Sequence, residues 1–323
     1  MSQRIKDLLK QLPEIYQDVE LDGTRFAKGR RNCAKRWDLI KDHIGPHDVV
    51  LDVGSSLGYF SHKIATEYPD SLVISFESEP KMCAIQAEIF RREGIYNVVV
   101  CNQRLTLMDL EYWTKYVDCF DTILALSVLH HYPPGSVHAV FDQLRGLSPR
   151  ILGEGPAEKE VKACGGQAKD DTLEIEKSGV NILGKVPSHL SRHKRKVWLD
   201  QAGDNSRLTI YRPDLDAYFG VSHDDRHKFK LLWNGHWSLN DKRMIPGINA
   251  YNLSKFSVVW PEPKWWTAQA IGAYGGLDFK SDVRPWNLLV TSTGLRAIDF
   301  MTKFPAGDPA KFNMTDFSKY LSF

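Results

Sequence analysis

The chain is 323 residues long, enough to bury a large core and, on length alone, to form two units of ordinary size. Its 42 basic residues nearly cancel 40 acidic ones, and a net charge of +2 provides no global field toward nucleic acid or an anionic membrane. The opening stretch is charged and amphipathic rather than signal-like, and no apolar run approaches the roughly 20 residues of a membrane span, so a cytoplasmic location is expected.

In chain order, residues 1–45 read as a helical lid. Arg30, Arg31, Lys35 and Arg36 cluster ahead of the first strand, a run that usually marks a solvated helix face and would also suit an anionic group such as a phosphate. Tyr16 falls in the same leader. From residue 49 the pattern alternates between short apolar runs and helical stretches. Strands are expected at 49–53, 72–76, 97–101, 122–126 and 151–154, with helices at 58–67, 81–92, 107–116 and 135–144 between them. Pro69, Gly94 and the Pro133, Pro134, Gly135 turn mark boundaries. Two later β-type runs, 196–200 and 207–211, follow an irregular or helical insert and are expected to complete the sheet as a terminal hairpin. The result is an α/β domain over 46–212, built on a doubly wound, mostly parallel, seven-stranded sheet. A boundary is placed at Arg212, Pro213 and Asp214, and residues 213–323 form a second region rich in Trp and Pro. The five cysteines lack any CxxC pair and read as reduced packing thiols, without a metal site.

The polar residues that carry chemistry fall at strand ends. Asp52 closes the first strand, and Gly54, Ser55, Gly58, Tyr59 and Phe60 carry the chain through a glycine turn into a helix. Glycine allows close backbone approach and left-handed dihedrals, and the helix start presents unpaired N–H groups. The loop lacks the full GxGxxG that cradles a pyrophosphate, which favours a nucleotide-like ligand without phosphate. Glu77 follows the second strand, where a carboxylate can accept two ribose hydroxyls. Asn102, Gln103 and Arg104 follow the third strand. Leu126 and Ser127 follow the fourth, and His130 and His131 lie just beyond them. This is the edge on which open α/β sheets bind ligands. The histidine pair reads as a capping and packing pair, as a base with a near-neutral pKa, or, against a ligand that is already anionic, as groups that position and neutralise it with nearby arginines. Glu154, at the fifth strand end, is a second candidate for a ligand contact but reads first as a solvated or helix-capping carboxylate, and the basic run 189–196 reads as solvated surface.

Together these residues resemble the class I S-adenosylmethionine (SAM)-dependent methyltransferases. The resemblance implies SAM as cofactor and S-adenosylhomocysteine as its product. It places Asp52, Gly54 and Gly58 around the methionine part of SAM, Glu77 on the ribose, Asn102, Gln103 or Arg104 at the adenine, and Ser127 beside the sulfonium.

Near the C-terminus, Asp282 and Asn287 keep the five-residue offset of a kinase catalytic loop, and Asp299 with Phe300 stands where a metal-binding DFG would fall. Lys280 and Met301 depart from that pattern, and no phosphate loop precedes it. The tail therefore resembles a shortened kinase-like appendage. With both signatures present, the chain resembles the WbdD-type O-antigen chain-terminating methyltransferase-kinases. In that family, a kinase phosphorylates a polysaccharide end and a methyltransferase caps the phosphate. The resemblance places Tyr16, Arg36 and His131 near the acceptor, with His130 beside it. It implies methyl transfer to an oxygen of a sugar, phosphoglycan or related polar metabolite, with no nucleic-acid partner. The alternatives are a bifunctional enzyme using ATP and Mg²⁺, with Asp282 as base and Asn287 and Asp299 on the metal, or a non-catalytic SAM- or glycan-binding protein. The oligomeric state and the acceptor itself stay open.

Overall fold

A computed structural model describes residues 2–116, 120–160, 166–188, 193–201, 208–212, 217–221, 244–253, 256–259 and 288–297. Helix α1 (Ser2–Leu9) sets Ile5 and Leu9 into the core, and a short hairpin, β1 (Val19–Leu21) and β2 (Thr24–Ala27), follows. Helix α2 (Cys33–Ile40) starts at Asn32, whose side-chain oxygen accepts from the Lys35 N–H at 3.1 Å and satisfies one otherwise orphaned donor.

The sheet domain runs β3 (Val49–Val53), α3 (Tyr59–Glu67), β4 (Leu72–Glu77), α4 (Pro80–Glu93), β5 (Val98–Asn102), α5 (Leu107–Tyr116), β6 (Thr122–Leu126), α6 (Val137–Leu147) and β7 (Ile151–Glu154). All five residues of β3 are buried, because the sheet is covered on both faces and an alternating pattern would bury polar groups. Helix α4 shows the cause of its bounds: Glu79 caps it, Pro80 opens it, and Gly94 ends it at φ 66°. The expected βα alternation is thus present, with ends shifted by a few residues.

Helix α7 (Gln167–Lys177) is followed by β8 (Asn181–Pro187) and β9 (Lys194–Asp200). The hairpin expected from 196–200 and 207–211 does not form. Instead β9 pairs antiparallel with β7 on one side and β8 on the other. Strand β8 is an edge strand with one face toward solvent, so it carries no apolar run that pattern reading could detect. Its Gly184 also leaves room for Leu39, which a Cβ would meet at 2.7 Å.

Beyond residue 207, β10 (Leu208–Arg212), β11 (Ala217–Val221), β12 (Met244–Asn249), β14 (Leu288–Thr291) and β15 (Gly294–Ala297) form a five-stranded sheet in that order. Within the kinase-like stretch, β14 and β15 pair as an antiparallel hairpin. Asp282, Asn287, Asp299 and Phe300 lie outside the described residues. Between these strands, β13 (Val258–Val259) returns to the main sheet and pairs antiparallel with β5. The main sheet therefore has eight strands in the order β13, β5, β4, β3, β6, β7, β9, β8.

Two apolar clusters cover its faces. One unites α1, α2, α3 and α4 with the sheet, and the other unites α5 and α6 with residues from beyond 244. In the second cluster, Phe256 sits edge-on to Phe76 and Trp113, each at 4.9 Å between ring centroids. Ile248, Leu253, Val290 and Leu295 belong to the same cluster.

Candidate active site

The loops after β3, β4, β5 and β6 and the end of β7 share the C-terminal edge of the sheet, because β3, β4, β5, β6 and β7 are parallel. Asp52 lies there, 3% exposed, accepting from the Ser61 hydroxyl at 2.7 Å. Burial pushes its carboxyl up to about 6, against the pull of Ser61 and the charge of Arg31. Gly54 and Gly58 take φ values of 72° and 77°, and Ser56 between them is left-handed at 57°. A Cβ on Gly54 would meet Val128 at 2.7 Å, and one on Gly58 would meet Gln86 at 2.8 Å, so both glycines are required by dihedral and by space. The Gly54 and Ser55 N–H groups both donate to the Phe76 carbonyl at 2.9 Å, which ties the glycine loop to β4. Ser55 is buried beneath, bonded to Ser75 and Gln86. The Tyr59 N–H donates to Gln17 of the leader, and Phe60 packs under the Arg31 guanidinium.

The Glu77 carboxylate, half-buried, accepts from the Ser56 and Glu79 N–H groups at 2.8 Å each. Oε1 also accepts from the Ser78 hydroxyl at the long distance of 3.4 Å, and Oε2 keeps a lone pair for a further donor such as a ribose hydroxyl. Asn102 pairs with Glu77 in register and donates from its side chain to the Glu77 carbonyl. Its N–H donates to the carbonyl of Ser257, just before β13, at 2.7 Å. Gln103 is half-buried beside it, while Arg104 is exposed, donates to the His131 carbonyl and lies over the Tyr132 ring.

Leu126 is buried, and Ser127 is left-handed at φ 63°. Such dihedrals cost about 1–3 kcal/mol in a residue with a side chain and persist only where neighbours impose them. The neighbours here are explicit. The Ser127 N–H donates to the Glu154 carbonyl at 2.8 Å, and its hydroxyl donates to Glu154 Oε1 at 2.7 Å.

Glu154 is the largest departure from the sequence expectation of a solvated or capping carboxylate: it is fully buried. Arg36 donates to it from Nε at 2.5 Å and Nη2 at 3.0 Å, and Arg31 donates from Nη2 at 3.1 Å. Burial alone would raise this carboxyl, yet the two guanidinium groups outweigh it and hold the pKa at about 2. The leader arginines are likewise corrected, since Arg31 is 3% and Arg36 0% exposed rather than both lying on a solvated face. Arg195 of β9, in a run expected to be solvated, is 2% exposed and donates to Glu160 at 2.9 Å and the Ser127 hydroxyl at 3.2 Å. A period-two reading of β9 would have found it, because Arg195, Val197 and Leu199 share one buried face. Glu160 carried no signal in the sequence.

His130 and His131 form a short helical turn with Leu129, their rings 4.3 Å apart. The near-neutral imidazole expected for a base is corrected at His130. Burial, helped by His131 and Arg195, lowers it to about 3, and the ring is uncharged at neutral pH. His131 is exposed at its surface, though partial burial and Arg104 still push its imidazole down. Tyr16 lies 5.5 Å from the Arg31 guanidinium, ring centroid to carbon. Arg36 is spent on Glu154, the Asn32 carbonyl and the Pro187 carbonyl.

The donor set suits SAM. Two carboxylates face a ligand that carries ammonium, sulfonium and ribose hydroxyls, and the buried Arg31 keeps an Nε–H without a partner, suited to the methionine carboxylate. Comparison with known proteins agrees, since residues 44–145 match a family described as a methyltransferase domain. This match supports a SAM-dependent methyltransferase domain in that segment. WbdD of Escherichia coli, an O-antigen chain terminator bifunctional methyltransferase/kinase, is 26% identical over 224 residues, covering 62% of this chain but 29% of WbdD. The chain thus matches under a third of that relative's length. A tRNA U34 carboxymethyltransferase of Nautilia profundicola is 25% identical over 223 residues, 68% of this chain and 62% of the relative. A medium-resolution structure of WbdD superposes with a TM-score of 0.52 at 16% identity, over 98% of this chain and 86% of that one, a likeness of fold. The methyltransferase match spans β3 to α6, the elements that carry the glycine loop, Glu77, Asn102 and Ser127.

Proposed function

We propose that this domain transfers the methyl group of SAM to an oxygen of an anionic acceptor, a phosphorylated sugar or phosphoglycan end. The observation that carries this reading is the buried cluster behind Ser127. Among the described residues, Arg31, Arg36 and Arg195 meet Glu154 and Glu160 there, and Asp52 feels the Arg31 charge. Arg31 nonetheless keeps a buried Nε–H without a partner at this edge, a donor suited to an anionic group. The neutral, weakly basic His130 points the same way. An imidazole at about 3 is a poor acceptor for a hydroxyl proton, whereas an anionic oxygen has no proton to lose.

Bound SAM supplies an electrophilic methyl on a positively charged sulfur. The chain's part is to bind and to orient. Asp52 and Glu77 hold the cationic and ribose parts, and Ser127, locked by Glu154, shapes the wall between cofactor and acceptor. In the transfer, the S–CH₃ bond breaks as O–CH₃ forms, and S-adenosylhomocysteine leaves with the bonding pair on sulfur. Similarity to WbdD, an O-antigen chain terminator bifunctional methyltransferase/kinase, supports an acceptor of this kind.

Methyl transfer from labelled SAM to phosphorylated and unphosphorylated mono- and disaccharides tests the reading. Labelling confined to phosphorylated acceptors, and lost in Asp52→Ala, is the expected result. Equal labelling of neutral sugars would overturn the anionic acceptor, and no binding of S-adenosylhomocysteine by calorimetry would remove the reaction itself.

A further inference from the structure

A separate cavity of about 300 Å³ opens beside the end of β7, between α7 and the β8–β9 hairpin. Its lining includes Lys159, Lys177, Lys185, Lys194 and Lys196 together with His193, against the carboxylates of Glu158 and Glu176. The hairpin explains how so many cations converge. Lys194 and Lys196 are two apart on β9 and share a face, and Lys185 on β8 stands directly across from Lys196. Like charges placed opposite each other across a strand pair are unfavourable, and a fold selected for stability alone would avoid them. Lys196 is relieved in part by Glu176, 3.6 Å away, whose side chain is only 2% exposed. Gly155 is the condition for that floor, because a Cβ there would meet Glu176 Oε1 at 2.6 Å.

We infer that this cavity is a second anion site, distinct from the cofactor loops, that binds the phosphate of a small phosphate ester. The lysines come from four segments, the helical stretch 158–160 after β7, α7, β8 and β9, so the charge surrounds a concavity rather than lining a strip. That shape takes a compact dianion with one sugar-sized group attached, not an extended polynucleotide backbone. Lys ammonium groups on flexible stems close around such a ligand as point charges. Its ligand need not be the methyl acceptor, and its binding is measurable without any methyl transfer.

Titration of the full-length protein with glucose 6-phosphate, glucose and inorganic phosphate, followed by NMR or calorimetry, tests the site. Glucose 6-phosphate should bind in a salt-sensitive manner and more tightly than either fragment. The exposed double substitution Lys185→Glu, Lys194→Glu should weaken it at least tenfold while leaving S-adenosylhomocysteine binding unchanged, which also reports an intact fold. Lys159→Gln with Lys177→Gln serves as a second variant and should weaken it several-fold. Unaltered affinity in both variants, phosphate alone binding as tightly as the ester, or an RNA oligonucleotide outcompeting it would each overturn the site. Loss of S-adenosylhomocysteine binding in the unaltered protein would instead count against the methyltransferase reading, independently of the phosphate result.

Discussion

Asp52 shows how one side chain couples folding to ligand binding. Its carboxyl is pushed up to about 6 by burial, so without ligand it is protonated below that pH. The raised value makes the ionised form unfavourable in the fold, so stability from this group is present below about 4 and is lost as pH rises through about 6. A bound cation reverses the preference. SAM affinity should therefore rise with pH up to about 6 and level off above it, falling about tenfold per unit below, as calorimetry across pH would show. Glu154 has the opposite sign. Held at about 2, it contributes stability above its ordinary value of 4.5 that is lost as pH falls from 4.5 through 2. Removing a partner is more severe than protonating the group, because a buried charge is left uncompensated. Arg36→Ala should cost about 3–5 kcal/mol in denaturant unfolding, and a loss under 1 kcal/mol would mean that water reaches Glu154. The strand-end acids were legible from position alone. Whether each keeps capacity for a ligand, as at Glu77, or is consumed internally, as at Glu154, depends on arginines more than 100 residues away in the chain.

At the scale of elements, the β7–β9 contact decides how the sheet ends. Gly153 faces Trp198 across that pair, with its Cα against the indole, where any Cβ would overlap the ring. Trp198 is fully buried and meets Phe141 of α6 edge-on at 5.8 Å. Gly153→Ala should thus displace the indole and lower stability by about 1–3 kcal/mol, the range for overpacking a filled core. A change in Trp fluorescence should accompany the shift in the unfolding midpoint, and an unchanged midpoint would show that β9 can move aside. Helices and central strands could be read from the sequence because their apolar periods are strong and local. Strand β8 could not. An edge strand buries little, and its place is set by β9 rather than by its own residues.

For the whole molecule, the main question is how the region beyond residue 244 joins the sheet. Strand β13 extends it past β5, Ser257 bonds the Asn102 N–H beside the cofactor edge, and Phe256 fills the space between Phe76 and Trp113. Phe256→Ala removes a large buried ring and should cost about 3–5 kcal/mol. Because this ring packs into the same core as α5 and α6, unfolding should stay a single transition, with coincident fluorescence and circular dichroism curves; an early separate transition would show that the segment is only loosely attached. The sequence by itself determined the order of strands and helices from β3 to β7, the glycine loop, the acids at the strand ends and the methyltransferase character. Those features depend on local period, on dihedral freedom and on the rule that parallel strands share one binding edge. Only the tertiary structure decided that three scattered arginines meet at Glu154, that β8 and not the run after residue 207 closes the sheet, and that five lysines ring one cavity. The reason is that charge pairing and edge pairing are settled between segments far apart in the chain, where no local pattern records the partner.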